Sequence, residues 1–354
     1  MQPTEKISQL LKTSRDVLLG CCLDNGAVVA ANTDHHAYPP DASDYRYVWP
    51  RDASYILYAL LLLGEDKREL FAEWLNTRAE DFCYRGAFFR RYATNGAGAW
   101  ASESFQPDQS GSLLWLFTQG DISEPQIAQA VTHAANGLCI TWEEDHFTMP
   151  THDLWEHMSV PAGHHSFLYT LAACSKGLER ASVRDSEEAL QWQETAKQMR
   201  ETILKSASGG GHLTRLGSNY SDHLDASLLG LTWPFSVFND RTALAKTTTK
   251  IEEELMGDRG LKRFAGDVYD GRVTHSEDQN EGAGAWPLLT CWLAIAKHEL
   301  GDHEGSKRTF LDLVESLDGG FIPEQLFTDG RTGVKPLAWS HAMFVIAARK
   351  LEYT

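Results

Sequence analysis

Apolar residues recur at i, i+3, i+4 and i+7 through most of this chain, and that period admits helices and little else. Twelve segments carry it, near 4–20, 51–63, 67–82, 109–119, 125–141, 162–181, 186–206, 223–230, 239–255, 284–299, 303–317 and 337–351. Several have entry signals, such as Ser123-Glu124-Pro125 and Asp185-Ser186-Glu187-Glu188. Strand signals are brief, for example Gly211-His212-Leu213-Thr214-Arg215. The connections differ in length, and those at 21–50, 83–108, 142–161, 256–283 and 318–336 are long and aromatic. Loops of that length in a compact domain commonly carry function. Twelve helices with long loops on one face predict an all-α toroid of six helical hairpins, an (α/α)6 barrel, with residues 1–354 as one domain. The alternatives are an irregular helical domain and a helical repeat array. No motif recurs at a fixed period, which argues against a solenoid. No linker or low-complexity tail divides the chain, and Gly209-Gly210-Gly211 reads as a turn.

The long loops hold the residues that carry chemistry. Glu156 lies in Thr151-His152-Asp153-Leu154-Trp155-Glu156, and Glu324 lies in Asp318-Gly319-Gly320-Phe321-Ile322-Pro323-Glu324-Gln325. Two carboxylates are what acid-base cleavage of a sugar acetal needs: one protonates the leaving oxygen and the other activates water or attacks carbon. A single Glu in a loop is ordinarily solvated. Rings beside Glu156 would desolvate it, raise its pKa and keep it protonated. Pro323 fixes the backbone just before Glu324, although an ordinary surface Glu in a turn fits the same pattern.

Tyr45-Arg46-Tyr47-Val48-Trp49-Pro50-Arg51-Asp52 adds an Arg-Asp pair beside three aromatic rings at a helix start. Asp52 there would either cap the helix or, with Arg51, take the vicinal hydroxyls of a terminal sugar. Aromatic faces cover the apolar CH face of a pyranose. Arg263-Phe264-Ala265-Gly266-Asp267-Val268-Tyr269 is a further loop with paired charges, read either as a structural ion pair or as a substrate contact. His275, Glu277, Asp278 and Glu281 cluster between Thr274 and Gly282 without metal-ligand spacing, so a solvated loop is expected there. His35-His36 and His164-His165 are equally poor ligand pairs. The chain has no glycine-rich phosphate cradle and no Gly-x-Ser-x-Gly elbow.

The formal charge of −17 argues against a nucleic-acid partner and against an anionic membrane, and is compatible with a neutral substrate. No run approaches the length of a membrane span; the longest is Ala59-Leu60-Leu61-Leu62-Leu63. The polar N-terminus, Met1 to Lys12, lacks the apolar core of a signal peptide, so a cytoplasmic location is expected, with a mature secreted form as the alternative. Cys21, Cys22, Cys83, Cys139, Cys174 and Cys291 are scattered mostly through apolar helical contexts and read as buried free thiols, with adjacent Cys21-Cys22 as a conceivable redox device.

Taken together these segments resemble glycoside hydrolase family 15, the glucoamylase family, along nearly the whole chain. Tyr45-x-Tyr47-x-Trp49-Pro50-Arg51-Asp52 is similar to its first-loop signature, Asp153-Leu154-Trp155-Glu156 to its general-acid loop, and Arg263-Phe264-x-x-Asp267-x-Tyr269 to its substrate-clamp loop. Pro323-Glu324-Gln325 followed by Pro336-Leu337-Ala338-Trp339-Ser340-His341 resembles its general-base loop and last helix, and Ala285-Trp286-Pro287-Leu288-Leu289-Thr290 its penultimate hairpin. The resemblance implies an (α/α)6 barrel with the site in its mouth and removal of one glucose from a non-reducing end with inversion. It implies Glu156 as general acid and Glu324 as general base, with Tyr45, Arg51, Asp52, Arg263 and Asp267 holding the terminal glucose. Trp49, Trp155, Trp286 and Trp339 would wall the pocket. Inversion needs room for a water, with the carboxyl groups roughly 6.5–9.5 Å apart. It implies no metal or organic cofactor and a small-molecule oligosaccharide as the partner; oligomeric state is not legible from helix faces that serve core or interface equally.

The chain departs from that pattern in three ways. His157 stands where glucoamylases often carry a second acid, on the far side of the first bond, which bears on leaving-sugar preference. The stretch 271–282 is longer than usual before Trp286. There is no room for the β-sandwich domain that precedes many prokaryotic members or for a starch-binding module, so short α-1,6 or α-1,4 gluco-oligosaccharides fit better than granular starch. Two rivals stand beside this reading: a trehalose hydrolase of the same fold, and a glucoamylase-like domain that binds glucan or a partner without catalysis.

Overall fold

A computed structural model of the chain describes all residues except 1, 83–87, 98–104, 121–122, 185, 207–210, 218–222, 239–240, 271–281, 319 and 354, and the main chain alone at 78–82. The His275 to Glu281 cluster, most of the 271–282 stretch and Cys83 therefore lie outside the described residues.

The described helices are α1 (Pro3–Gly20), α2 (Pro50–Leu62), α3 (Arg68–Phe82), α4 (Pro107–Phe117), α5 (Pro125–Thr141), α6 (Leu168–Ala181), α7 (Ala189–Ser206), a 3-10 helix (Ala226–Leu231), α8 (Thr242–Leu255), α9 (Pro287–Glu299), α10 (His303–Ser316) and α11 (Ala338–Lys350). Prolines open five of them, at the position where a missing N–H costs nothing and a fixed φ helps. The eighth expected helix is a single short 3-10 piece, started by the Asp225 carboxylate accepting from the Ser227 amide. The expected strand at 211–215 does not form; among the described residues extended pairing is confined to two-residue strand pairs and isolated bridges in the loops. Among the described residues no helix is long and apolar enough to cross a membrane.

Two kinds of helix alternate. In α4 every residue is buried, and in α9 and α11 the burial is continuous over Pro287 to Lys297 and Ala338 to Ala348. Such all-round burial marks an inner helix. By contrast α1, α7, α8 and α10 bury one stripe and expose the rest. The inner elements close a ring: α2 packs on α4, α4 on α6, α6 on the 3-10 helix, that helix on α9, α9 on α11, and α11 back on α2. The outer helices lie against them, α1 on α11, α5 on α4, α7 on α6, α8 on the 3-10 helix and α10 on α9, with α3 on α5. This is an (α/α)6 barrel.

Its axis is filled by aromatic rings. Tyr55 of α2 meets Trp115 of α4, Trp292 of α9 and Trp339 of α11 at centroid distances of 5.3, 5.9 and 5.3 Å. The link into each inner element leaves the preceding outer helix and arrives at the inner element's N-terminus. All the long loops therefore gather at one end of the barrel. The five described cysteines are free thiols. Burial pushes Cys21 up to about 12 and Cys22 to about 11, so this adjacent pair is poorly set up as thiolate chemistry.

Candidate active site

The N-terminal ends of the inner helices surround a cavity of about 540 Å³. Arg51 and Asp52 come from the first turn of α2, Trp286 is the residue that starts α9, and Trp339 is in the first turn of α11. Helix N-termini carry partial positive charge and favour carboxylates.

Glu324 is buried beneath this cavity. Its backbone is held between neighbours: the Glu324 amide donates to the Val334 carbonyl at 2.7 Å, and Leu326 exchanges two hydrogen bonds with Ala285. The Tyr45 hydroxyl donates to Glu324 Oε1 at 3.0 Å and is in turn paired with the Tyr269 hydroxyl. Oε2 is buried with no hydrogen-bond partner. Burial pushes the Glu324 pKa up to about 7, against the opposing pull of the Tyr45 hydrogen bond and the Arg263 charge.

Glu156 stands at the tip of a hairpin formed by Thr151–His152 (β3) and Ser159–Val160 (β4). The Asp153 amide donates to the Met158 carbonyl, the Glu156 amide donates to the Asp153 carbonyl, and the Asp153 carboxylate accepts from the His157 and Met158 amides at 2.8 and 2.9 Å. Glu156 itself has φ +60°, a conformation that costs a non-glycine residue about 1 kcal/mol. Trp49 Nε1 donates to Glu156 Oε1 at 2.7 Å, and Arg90 pairs with Oε2 at 3.1 Å. The expectation that rings desolvate Glu156 is corrected here: its side chain is 27% exposed and ion-paired. It is Glu324 that the fold buries.

One segment touches both carboxylates. Tyr45 bonds Glu324 and Trp49 bonds Glu156, and their ring centroids are 6.1 Å apart, edge to face. The segment is fixed by the Ala31 and Ala30 amides, which donate to the Tyr45 and Tyr47 carbonyls, and by pairing of Tyr47–Val48 (β1) with Tyr92–Ala93 (β2).

Asp52 lies in the first turn of α2 but makes no cap; no side chain caps that helix. It pairs instead with Arg51 at 3.2 Å, and burial pushes its pKa up to about 6. Arg51 is buried, donates to Asp108 at 3.1 Å and lies over the Trp339 ring at 5.2 Å. Gln106 accepts from Arg51 and from Gln109 and donates to the Asp153 carbonyl at 2.6 Å, tying the Arg51–Asp52 arm to the Glu156 turn. The other arginine, Arg263, is locked by Asp267 through two bonds of 2.6 Å and sits 4.9 Å from the centroids of both Tyr269 and Trp286.

Eleven of the twelve residues singled out in the sequence line the cavity: Tyr45, Trp49, Arg51, Asp52, Trp155, Glu156, His157, Arg263, Trp286, Glu324 and Trp339. Asp267 does not. Both of its oxygens are turned to Arg263, so it holds that side chain rather than facing a ligand. His157 is exposed, with its ring 4.9 Å from Phe264. The indole N–H groups of Trp286 and Trp339 are buried without partners. Tyr269, Tyr47 and Arg91 also line the cavity. Tyr269 was within reach of sequence reading, two residues after Asp267 in a segment already singled out. Arg90 and Arg91 sit in a loop with no signal beyond its length. Among the described residues no three His, Cys, Asp or Glu side chains come together to hold a metal ion.

A neutral, hydroxyl-bearing ligand fits this chemistry: rings for its apolar faces, fixed charges for its hydroxyls, and two carboxylates that differ in burial. Comparison with known proteins agrees. In sequence the chain is 27% identical over 379 aligned residues to an uncharacterized glycosyl hydrolase of Methanocaldococcus jannaschii, covering 98% of this chain and 56% of that one. It is 26% identical to an isomaltose glucohydrolase of Kribbella flavida, covering 89% and 88%, and 25% identical to a trehalase of Mycolicibacterium smegmatis, covering 91% and 52%. The chain thus spans about half the length of two of these three relatives. In structure it resembles a glycosidase solved in complex with glucose, with a TM-score of 0.78 at 22% identity, covering 99% of this chain and 98% of that one. It also resembles a bacterial glucoamylase complexed with acarbose, with a TM-score of 0.75 at 19% identity, covering 98% and 56%. The family model for glycosyl hydrolases family 15 matches residues 20–329, which include Tyr45, Arg51, Glu156, Arg263 and Glu324, and the chain belongs to that family of glycoside hydrolases.

Proposed function

We propose that this hydrolase is an inverting exo-α-glucosidase that releases β-D-glucose from the non-reducing ends of short α-gluco-oligosaccharides, of isomaltose (α-1,6) or maltose (α-1,4) type. The observation that carries the reading is the Tyr45–Trp49 segment, which hydrogen-bonds Glu324 with one ring and Glu156 with the other. Glu156, at the outer and more exposed position, protonates the glycosidic oxygen. Glu324, buried below, takes a proton from the water that attacks the anomeric carbon. Arg51 and Asp52 are buried while Asp44 at the rim is exposed, which suits capture of one chain end and hence exo-action. Arg263 is stacked among rings with its charge aimed by Asp267, ready to take hydroxyls of the same glucose. The isomaltose glucohydrolase named above, alignable over most of both chains, supports the α-1,6 choice.

Trehalose is the second reading, favoured by the trehalase relative. A proton NMR time course on isomaltose, maltose and trehalose separates the two. Early β-glucose above its mutarotation equilibrium, from isomaltose or maltose, is the expected result. Equal early α- and β-glucose from trehalose alone would move the assignment to that substrate. Early excess of α-glucose from isomaltose or maltose would mean retention and would overturn the roles given to the two glutamates.

A further inference from the structure

Beneath the Glu156 turn lies a charged group that lines no part of the cavity. Arg215, Asp153 and Asp225 are all buried. Arg215 Nε donates to Asp225 Oδ2 at 2.6 Å, and its Nη1 lies 3.7 Å from Asp153 Oδ2 and donates to the Met158 sulfur at 2.8 Å. The guanidinium also lies over the Phe264 ring at 4.5 Å. Its backbone is fixed, since the Arg215 amide donates to the His223 carbonyl and the Leu168 amide donates to the Arg215 carbonyl at the start of α6.

Each partner of Arg215 holds part of the acid-bearing loop. The Asp153 carboxylate anchors the His157 and Met158 amides, the two residues that follow Glu156. Asp225 accepts the Trp155 indole N–H at 3.0 Å, fixing the residue that precedes Glu156. Two buried carboxylates thus face one guanidinium. Removing this buried cation would take the guanidinium away from both carboxylates and release the clamp on either side of a residue already in a left-handed conformation.

We propose that Arg215 is a positioning residue for the proton donor: by bridging Asp153 and Asp225 it holds Trp155-Glu156-His157 at the height where Glu156 meets the glycosidic oxygen, without touching the sugar. This rests on Glu156 being the general acid. The consequence is specific to leaving-group protonation. The test compares isomaltose, whose leaving oxygen needs a proton, with α-D-glucosyl fluoride, whose leaving fluoride needs far less help. Arg215→Met should lower kcat on isomaltose about 10–100-fold while leaving glucosyl fluoride turnover and both KM values within about 3-fold. Arg215→Lys keeps the charge but not the bridge, and should lose isomaltose turnover selectively to a smaller degree. It also decides the matter if the Met variant does not fold. Equal loss on both substrates, or no loss on either, in the folded variant would overturn the positioning role. Glu156→Gln is measured beside them. If it too loses both substrates equally, the general-acid assignment falls and the proposal with it. If Glu156→Gln is selective and the Arg215 variants are not, the positioning role alone falls.

Discussion

At the scale of single residues, Glu324 is where stability and activity are most directly opposed. Burial holds its proton up to about 7, against an ordinary value of 4.5. A general base must be unprotonated, so kcat/KM should fall as pH drops through about 7, in a pH-rate profile on the active substrate. The sign for stability is the reverse. The fold binds this proton more tightly than the unfolded chain does, so the contribution is full below about 4.5 and is lost as pH rises through about 7. Glu324→Gln, always neutral and still able to accept from Tyr45, should therefore melt higher than the wild type at pH 8, by an amount on the order of 3 kcal/mol or less, with the gap closing at pH 4. The same variant should lose about 10²–10⁴-fold in kcat. A variant that is inactive and also less stable at pH 8 would mean that the charged carboxylate is well solvated in the fold. Both arms are read with thermal melts and steady-state kinetics on one preparation.

At the scale of elements, the barrel depends on how closely its inner helices approach. A Cβ placed on Gly111 of α4 would stand 2.5 Å from the Ala173 carbonyl carbon of α6, and one on Gly177 of α6 would stand 2.7 Å from the Gly111 carbonyl oxygen. The obstacle is backbone in both directions, so no rotamer change relieves it. Gly111→Ala should force α4 and α6 apart and cost about 1–3 kcal/mol, read as a lower melting temperature. Because α4 also carries Asp108 and Gln109, which hold Arg51, activity per folded molecule should fall with it. An unchanged melting temperature would show that the two helices have slack. The strand pairs at the barrel mouth follow the same rule of backbone control: β1 with β2 sets Trp49, and β3 with β4 sets Glu156.

At the scale of the whole molecule, the ring is closed by its ends. α11 packs on α2, and α1 packs on α10, α11 and α2, so the first and last helices share one interface. No inner helix has a neighbour it can lose without opening the ring. A single calorimetric transition is expected, with van't Hoff and calorimetric enthalpies in agreement; two resolved transitions would argue for separable units. The sequence by itself determined the helical class, the helix order and most of the cavity wall. Helical period, proline at helix starts and carboxylates among aromatic residues are all local signals, and eleven of the twelve chosen residues line one cavity. The tertiary structure decided what depends on contacts between distant segments. It reduced the eighth helix to a six-residue 3-10 helix, left 211–215 without a strand and turned Asp267 to Arg263. It buried Glu324 and left Glu156 partly exposed beside Arg90. It also brought Arg215 between Asp153 and Asp225, 62 and 10 residues away along the chain. Burial and charge pairing are sums over neighbours that the fold assembles, and a linear pattern carries no record of them.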